Sequence, residues 1–274
     1  MLTKTIKSLF KWFFDHPVYM QPLLIFYSTV IKSGRVDLLR KMNPWLATTK
    51  NTMSFIPINE SIVSDSGAVP LDIVHKLIDT ASIYTVMTKC ACRATWDCKS
   101  HDHSIGCLFM GETALTISPR TTTRINREEA HGHVERAVLN GLVPMIGKVK
   151  LDNFLFLEKD RGKLLSVCFC CDCCCILEAL RYLPPDHLEA YMPGVEGVSI
   201  EVTDACSGCE TCVAHCIYRA ITIANGRAVH GDLCRRCGRC GRFCPNGAVK
   251  ISLSSGRDSV KKAVHRISEM VDIG

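Results

Sequence analysis

Apolar positions recur at helical spacing in three stretches of the chain. From Pro70, a favoured first-turn residue, Leu71, Val74, Leu77, Ile78 and Ala81 share one face. Asn126 is placed to cap a second helix, with Glu129 three residues on. Ala130, Val134, Ala137 and Val138 make its apolar face, and Gly141 ends it. Over residues 259–271, Val260, Val264, Ile267 and Val271 line one side of a surface helix, with Lys261, Lys262 and Arg266 elsewhere. Strand patterns are shorter. Ser82–Thr88, Val198–Val202 and Ala248–Leu253 are β-rich, and Asn225-Gly226 marks a hairpin turn.

Residues 1–46 carry the densest apolar material. The run Val18–Ile31 is too short to span a bilayer and is interrupted by Gln21 and Pro22. Lys4, Lys7 and Lys11, set among Leu9, Phe10, Trp12, Phe13 and Phe14, would suit an interfacial helix on an anionic membrane. Packing on the chain's own core or against a partner subunit is the favoured expectation. Residues 47–69, rich in Thr, Asn and Ser, are expected to form an extended linker.

The chemistry lies in the 18 cysteines. Cys206, Cys209, Cys212 and Cys216 are spaced C-x2-C-x2-C-x3-C, and Cys234, Cys237, Cys240 and Cys244 repeat the spacing 28 residues later. Asp204 recurs as Asp232, Ala220-Ile221 as Ala248-Val249, and Ile223 as Ile251, which marks a duplicated loop–helix–strand unit. Thiolates at every third residue wrap a loop around one cubane, and the fourth cysteine starts a helix toward a second. Residues 198–253 thus resemble the bacterial two-cluster ferredoxin. The resemblance implies a crossed pairing: Cys206, Cys209, Cys212 and Cys244 on one [4Fe–4S] cluster, and Cys234, Cys237, Cys240 and Cys216 on the other. Ile217 stands where that motif has proline, which removes a turn residue but no ligand. A pair of C-x2-C zinc sites is the competing assignment, and two interlocked four-cysteine runs weigh against it.

Ten further cysteines fall in two groups: Cys90, Cys92, Cys98 and Cys107, then Cys168, Cys170, Cys171, Cys173, Cys174 and Cys175. Soft thiolates select iron–sulfur or zinc over hard cations. In a regular strand adjacent cysteines point to opposite faces, and in a helix Cys173 would leave the face shared by Cys171 with Cys174 or Cys175. Several ligands plus bystanders, or more than one metal centre, are therefore expected. An additional iron–sulfur cluster is favoured, with Cys90, Cys92, Cys98 and Cys107 as first ligands, members of 168–175 contributing, and zinc as the alternative. The order Cys90–Arg93, Gly141–Val143, Cys168–Cys175, Cys206–Cys244 is similar to iron–sulfur proteins of anaerobic bacteria and archaea. That resemblance covers roughly residues 60–255 and implies a cofactor class rather than a reaction. His101 and His103 lie in a loop that could close on a metal, His131 and His133 read as surface or packing residues, and His215 adjoins Cys216.

The expected fold is α+β: an N-terminal segment and linker (1–60), a mixed cysteine-rich domain (61–195), a two-cluster ferredoxin-like module (196–255) and a C-terminal helix (256–274). At 274 residues and 47% hydrophobic composition the chain can bury a real core. Cluster-type spacings without a small-residue cleavage site point to a reducing cytoplasm, and a lipid-binding N-terminus would place the protein at the inner face of the membrane. The net charge of +6 does not imply nucleic acid, since no basic tract with interleaved aromatics occurs. Arg219, Arg227, Arg235, Arg236, Arg239 and Arg242 crowd the ferredoxin-like module, most of them beside the second cysteine run, and suggest a docking face for an acidic redox partner. No G-x-G-x-x-G or G-x4-G-K-[ST] motif is present. The expected function is electron relay to a redox partner. The alternatives are an oxidoreductase with a catalytic centre in 90–175, or a ferredoxin module on a zinc-stabilised domain.

Overall fold

The computed structural model describes residues 17–49, 51–58, 63–64, 67, 69–156, 159 and 161–274. The stretch Lys4–Phe14, expected to meet lipid or protein, lies outside the described residues. The chain opens with helices α1 (Pro17–Ser33) and α2 (Asp37–Met42), strands β1 (Thr52–Phe55) and β2 (Val63–Ser64), and helix α3 (Asp72–Thr80). Next come β3 (Tyr84–Met87), α4 (Ala91–Thr95), β4 (Leu108–Met110), β5 (Thr122–Ile125) and α5 (Arg127–Leu139). Then follow β6 (Val143–Lys148), α6 (Lys150–Leu155), β7 (Leu165–Cys170) and α7 (Pro185–Tyr191). The C-terminal part holds β8 (Val198–Val202), α8 (Thr211–Ala214), β9 (Ile221–Ala224), β10 (Arg227–His230), α9 (Arg239–Arg242), β11 (Val249–Leu253) and α10 (Gly256–Ser268).

The architecture is mixed α+β, built on a six-stranded antiparallel sheet ordered β1-β6-β7-β4-β3-β5. Alternation divides its faces. Leu165, Val167 and Phe169 of β7, Leu108 and Met110 of β4, and Tyr84 and Val86 of β3 enter the main core with Val74, Leu77 and Ile78 of α3 and Ala130, Val134 and Ala137 of α5. The opposite face carries Met87, Phe109, Met145, Cys168 and Cys170. It is covered by α1, which packs on α4 and on the 3-10 turn Ile176–Tyr182. The main core also takes in Val198, Ile251 and Leu253 of the second sheet and Val260, Ala263 and Ile267 of α10, so buried apolar packing continues across residue 195.

Two expectations change. The helix from Pro70 begins at Asp72, because Pro70 and Leu71 form a turn in which the Asp72 carboxylate accepts the Val69 N–H at 2.9 Å. The expected linker 47–69 contains β1, and residues 51–58 are buried throughout. Its polar side chains are satisfied from the body: the Ser54 hydroxyl donates to the Pro193 carbonyl (2.8 Å) and accepts from Arg266 (2.6 Å). Gly147 admits that strand, since a Cβ there would lie 1.8 Å from the Thr52 carbonyl oxygen. Further on, β2 pairs in parallel with β11, which is also antiparallel to β8. The α5 expectation holds, with Asn126 and Glu129 forming a reciprocal capping box. Asn225 and Gly226, both at positive φ, turn β9 into β10.

Among the described residues no helix is long and apolar enough to cross a membrane. Ile25, Phe26, Leu38, Leu39 and Met42 of α1 and α2 are nonetheless exposed.

Candidate metal centres

The duplicated spacing folds into a duplicated backbone. Positive φ recurs at Gly208 and Arg236, at Glu210 and Gly238, and at Arg219 and Gly247. Each pair has the same sequence offset as the cysteine runs. The short helices α8 and α9 occupy equivalent places. The Cys216 and Cys244 sulfurs each accept the N–H four residues on, from Ala220 and Ala248, both at 3.2 Å. Cys216, from the first run, lines one cavity with Cys234, Cys237 and Cys240 of the second. Cys206 and Cys244 pack with Cys212 against a small apolar cluster of Ile221, Ala228 and Val249, which also takes in Cys240 and Cys216 from the neighbouring cavity. Burial pushes the Cys237 thiol up to about 12 and raises Cys240 and Cys234 as well. Protonated thiols are disfavoured ligands, so metal binding there must drive deprotonation.

The ten other cysteines separate into two groups. Cys98, Cys171, Cys173 and Cys174 place their sulfurs within 4.8 Å of one another, a group that could hold a metal ion. The Cys98–Cys173 separation is 3.4 Å. Neither a strand nor a helix assembles them: β7 ends at Cys170, and the turn over 171–175 brings three close-spaced thiols to one side. Of the expected first ligands only Cys98 joins this group. Cys90, Cys92 and Cys107 point instead into a cavity of about 100 Å³ under α1, together with Cys168, Cys170 and Cys175. A hydrogen bond from Cys92, the largest effect, lowers the Cys90 thiol to about 6.

Asp172 joins the compact group to the duplicated unit. Its carboxylate meets Nδ1 of His215 at 2.7 Å, Nη2 of Arg239 at 3.0 Å and Nε2 of His101 at 3.6 Å. Burial would raise that carboxyl, but the His101 hydrogen bond, the Arg239 charge and the His215 hydrogen bond outweigh it and hold the group well below the carboxylate range. His101 and Asp172 also lie with Cys173 as a second possible ligand set. His103 bonds the Cys98 carbonyl at 2.7 Å, which orders the loop rather than offering a ligand.

The arginines are not a uniform docking face. Arg239 is 1% exposed, held by Asp172 and the Gly141 and His215 carbonyls, and stacked on Phe243. Arg235 is 6% exposed and pairs with Glu189. Arg242 donates to the Leu139 carbonyl and Arg227 to Asp204. Arg235, Arg239 and Arg242 bind the repeat to the body, Arg227 bonds within the repeat, and Arg219 and Arg227 stay exposed. Residue patterns alone missed Asp172 as a hub, although it is the one charged residue in 168–175.

No family model, curated protein or solved structure matches the chain.

Proposed function

We propose that the chain is an iron–sulfur electron-transfer protein, or subunit, with a ferredoxin-like two-cluster module on a cysteine-rich domain. Cys206, Cys209, Cys212 and Cys244 would hold one [4Fe–4S] cluster, and Cys216, Cys234, Cys237 and Cys240 the other. Cys98, Cys171, Cys173 and Cys174 would hold a third centre. The observation that carries this reading is the cavity shared by Cys216 and the three later thiols, because crossed pairing requires that the two runs exchange a ligand. When bound, such clusters take up and release single electrons, which is the chemistry of relay.

The chain's own residues set the route. Asp172 lies between two thiols of the compact group and touches His215, beside Cys216, and Arg239, beside Cys240. The second cluster site is therefore the one adjoining the compact group. Cys209 and Cys173 are the exposed thiols, one at each end of the series, where a redox partner and the further donor or acceptor would approach. Eighteen thiols, twelve of them serving these centres, fit a reducing, oxygen-poor cytoplasm. The exposed apolar residues of α1 and α2 leave room for a partner or the membrane surface there.

A zinc-stabilised domain is the second reading. Tetrahedral zinc at about 2.3 Å from each thiolate sets the sulfurs roughly 3.8 Å apart, which suits the compact group. Iron, acid-labile sulfide and zinc per chain, measured on protein purified without oxygen, separate the readings, with EPR of the reduced protein. About twelve irons and no zinc are expected at minimum; about eight with one zinc would favour the second reading. Fewer than about eight irons after reconstitution with ferrous iron and sulfide would defeat both.

A further inference from the structure

With Cys98, Cys171, Cys173 and Cys174 assigned to the compact group, six cysteines of the domain have no role. Separate elements bring all six to one place. Cys168 and Cys170 alternate onto the same face of β7, and the register of β7 with β4 sets Cys107 opposite Cys168, with sulfurs 3.6 Å apart. Cys175 returns from the turn to within 3.2 Å of Cys170. Cys90 and Cys92 flank the first residue of α4 and close the remaining side.

The rest of the wall is apolar. Met87, Phe109 and Met145 of the sheet and Leu24 and Tyr27 of α1 line the cavity. The Asp152 carboxylate, also in the wall, is engaged by the Ser166 hydroxyl, so no oxygen-rich set suited to a hard cation exists. Into this setting the fold buries a guanidinium. Arg93 is 1% exposed and donates to the carbonyls of Phe169 (2.7 Å), Asp102 (3.0 Å) and Ile105. These acceptors are neutral, and among the described residues no carboxylate pairs with it. A buried cation without a counter-charge is strongly unfavourable, and the groups that share the cavity with Arg93 are mainly thiols, which supply one only when ionised. A thiolate-ligated cluster holds them ionised, and its net charge is negative.

We propose that Cys90, Cys92, Cys107, Cys168, Cys170 and Cys175 form a second metal centre of this domain, an iron–sulfur cluster distinct from the compact group, with Arg93 as its buried counter-cation. Cys171 lies in the cavity wall and in the compact group, so the two centres would be neighbours. The class of the group rests on the iron–sulfur reading above; the partition of the thiols rests on geometry alone.

The test compares full-length protein, purified without oxygen and reconstituted with ferrous iron and sulfide, with three variants. C107S/C168S/C170S removes the interior set, C173S/C174S the compact group, and C209S/C234S one ligand from each ferredoxin-like site. The interior variant should lose about four irons and about four sulfides per chain while the EPR signals that C209S/C234S abolishes persist. The same iron and sulfide in this variant as in the parent protein, with Cys107–Cys168 and Cys170–Cys175 recovered from the parent as disulfides or free thiols, overturns the inference. Unchanged iron in C209S/C234S would instead defeat the two-cluster reading and leave this one to be judged on its own variant. Should the interior variant not fold, the parent protein decides: about sixteen irons per chain, or about twelve with one zinc, support the interior centre, and about twelve without zinc or about eight with it overturn it.

Discussion

Asp172 shows what one residue contributes beyond its motif. Flanked by cysteines, it reads in the sequence as an incidental acid, yet in the fold it receives His101, His215 and Arg239 from two other segments. Its Arg239 partner has a side chain only 2% exposed, and losing the carboxylate leaves that cation buried without a counter-charge. We expect Asp172→Ala to lower stability by about 3 kcal/mol in anaerobic urea unfolding, whereas Asp172→Leu with Arg239→Met recovers most of it. A single-variant loss below about 0.5 kcal/mol, the range of an exposed pair, would show that the contact carries little. Arg235 and Arg239 teach the same lesson in reverse. Their sequence density suggested a charged surface, but density does not report direction, and both side chains turn inward.

At the scale of elements, legibility followed the residue types. The α5 helix was readable from Asn126 to Gly141 because its cap and its apolar spacing are both local. Strand β7 was not. In LSVCFC the thiols count as apolar, so the alternation of Leu165, Val167 and Phe169 against Ser166, Cys168 and Cys170 disappears into a continuous run. Strand β1 was hidden for the opposite reason, since Thr52 and Ser54 look like linker until the body supplies their partners. On α5 the structure adds a pH dependence. His133 Nε2 donates to the Gly106 carbonyl at 2.8 Å and Nδ1 accepts from Arg136 at 2.9 Å, so the ring is neutral. Burial, with Arg136 and Arg93 nearby, lowers its pKa even though the Gly106 bond opposes the shift. The unfolded chain then takes up the proton first, and stability present above about pH 6.5 is lost as pH falls below that value. Relative to His133→Gln, the parent protein should lose stability between about pH 6.5 and 5, by at most about 1.4 kcal/mol per pH unit. Parallel urea titrations of the two proteins would disprove this.

At the scale of the whole molecule, the main apolar core and the ferredoxin-like thiols occupy different regions. The main core joins the six-stranded sheet, α3, α5, α10 and the β8–β11 pair without using the ferredoxin-like cysteines. Between β8 and β11, by contrast, regular structure is limited to two four-residue helices and one hairpin. Metal removal by a chelator under reducing, anaerobic conditions should therefore abolish amide protection over about residues 203–247 while α3, α5 and β7 stay protected. Simultaneous loss everywhere would mean that the metals hold the entire fold. By itself the sequence determined the spacing of two duplicated cysteine runs, the capped helix and the soft-ligand character of the rest, because these depend on residues close together in the chain. Only the tertiary structure decided which of the ten remaining thiols stand together, which arginines are buried, and that the apparent linker is a strand. Those outcomes depend on segments far apart in sequence and on the face each side chain takes, which periodicity blurred by cysteine does not specify.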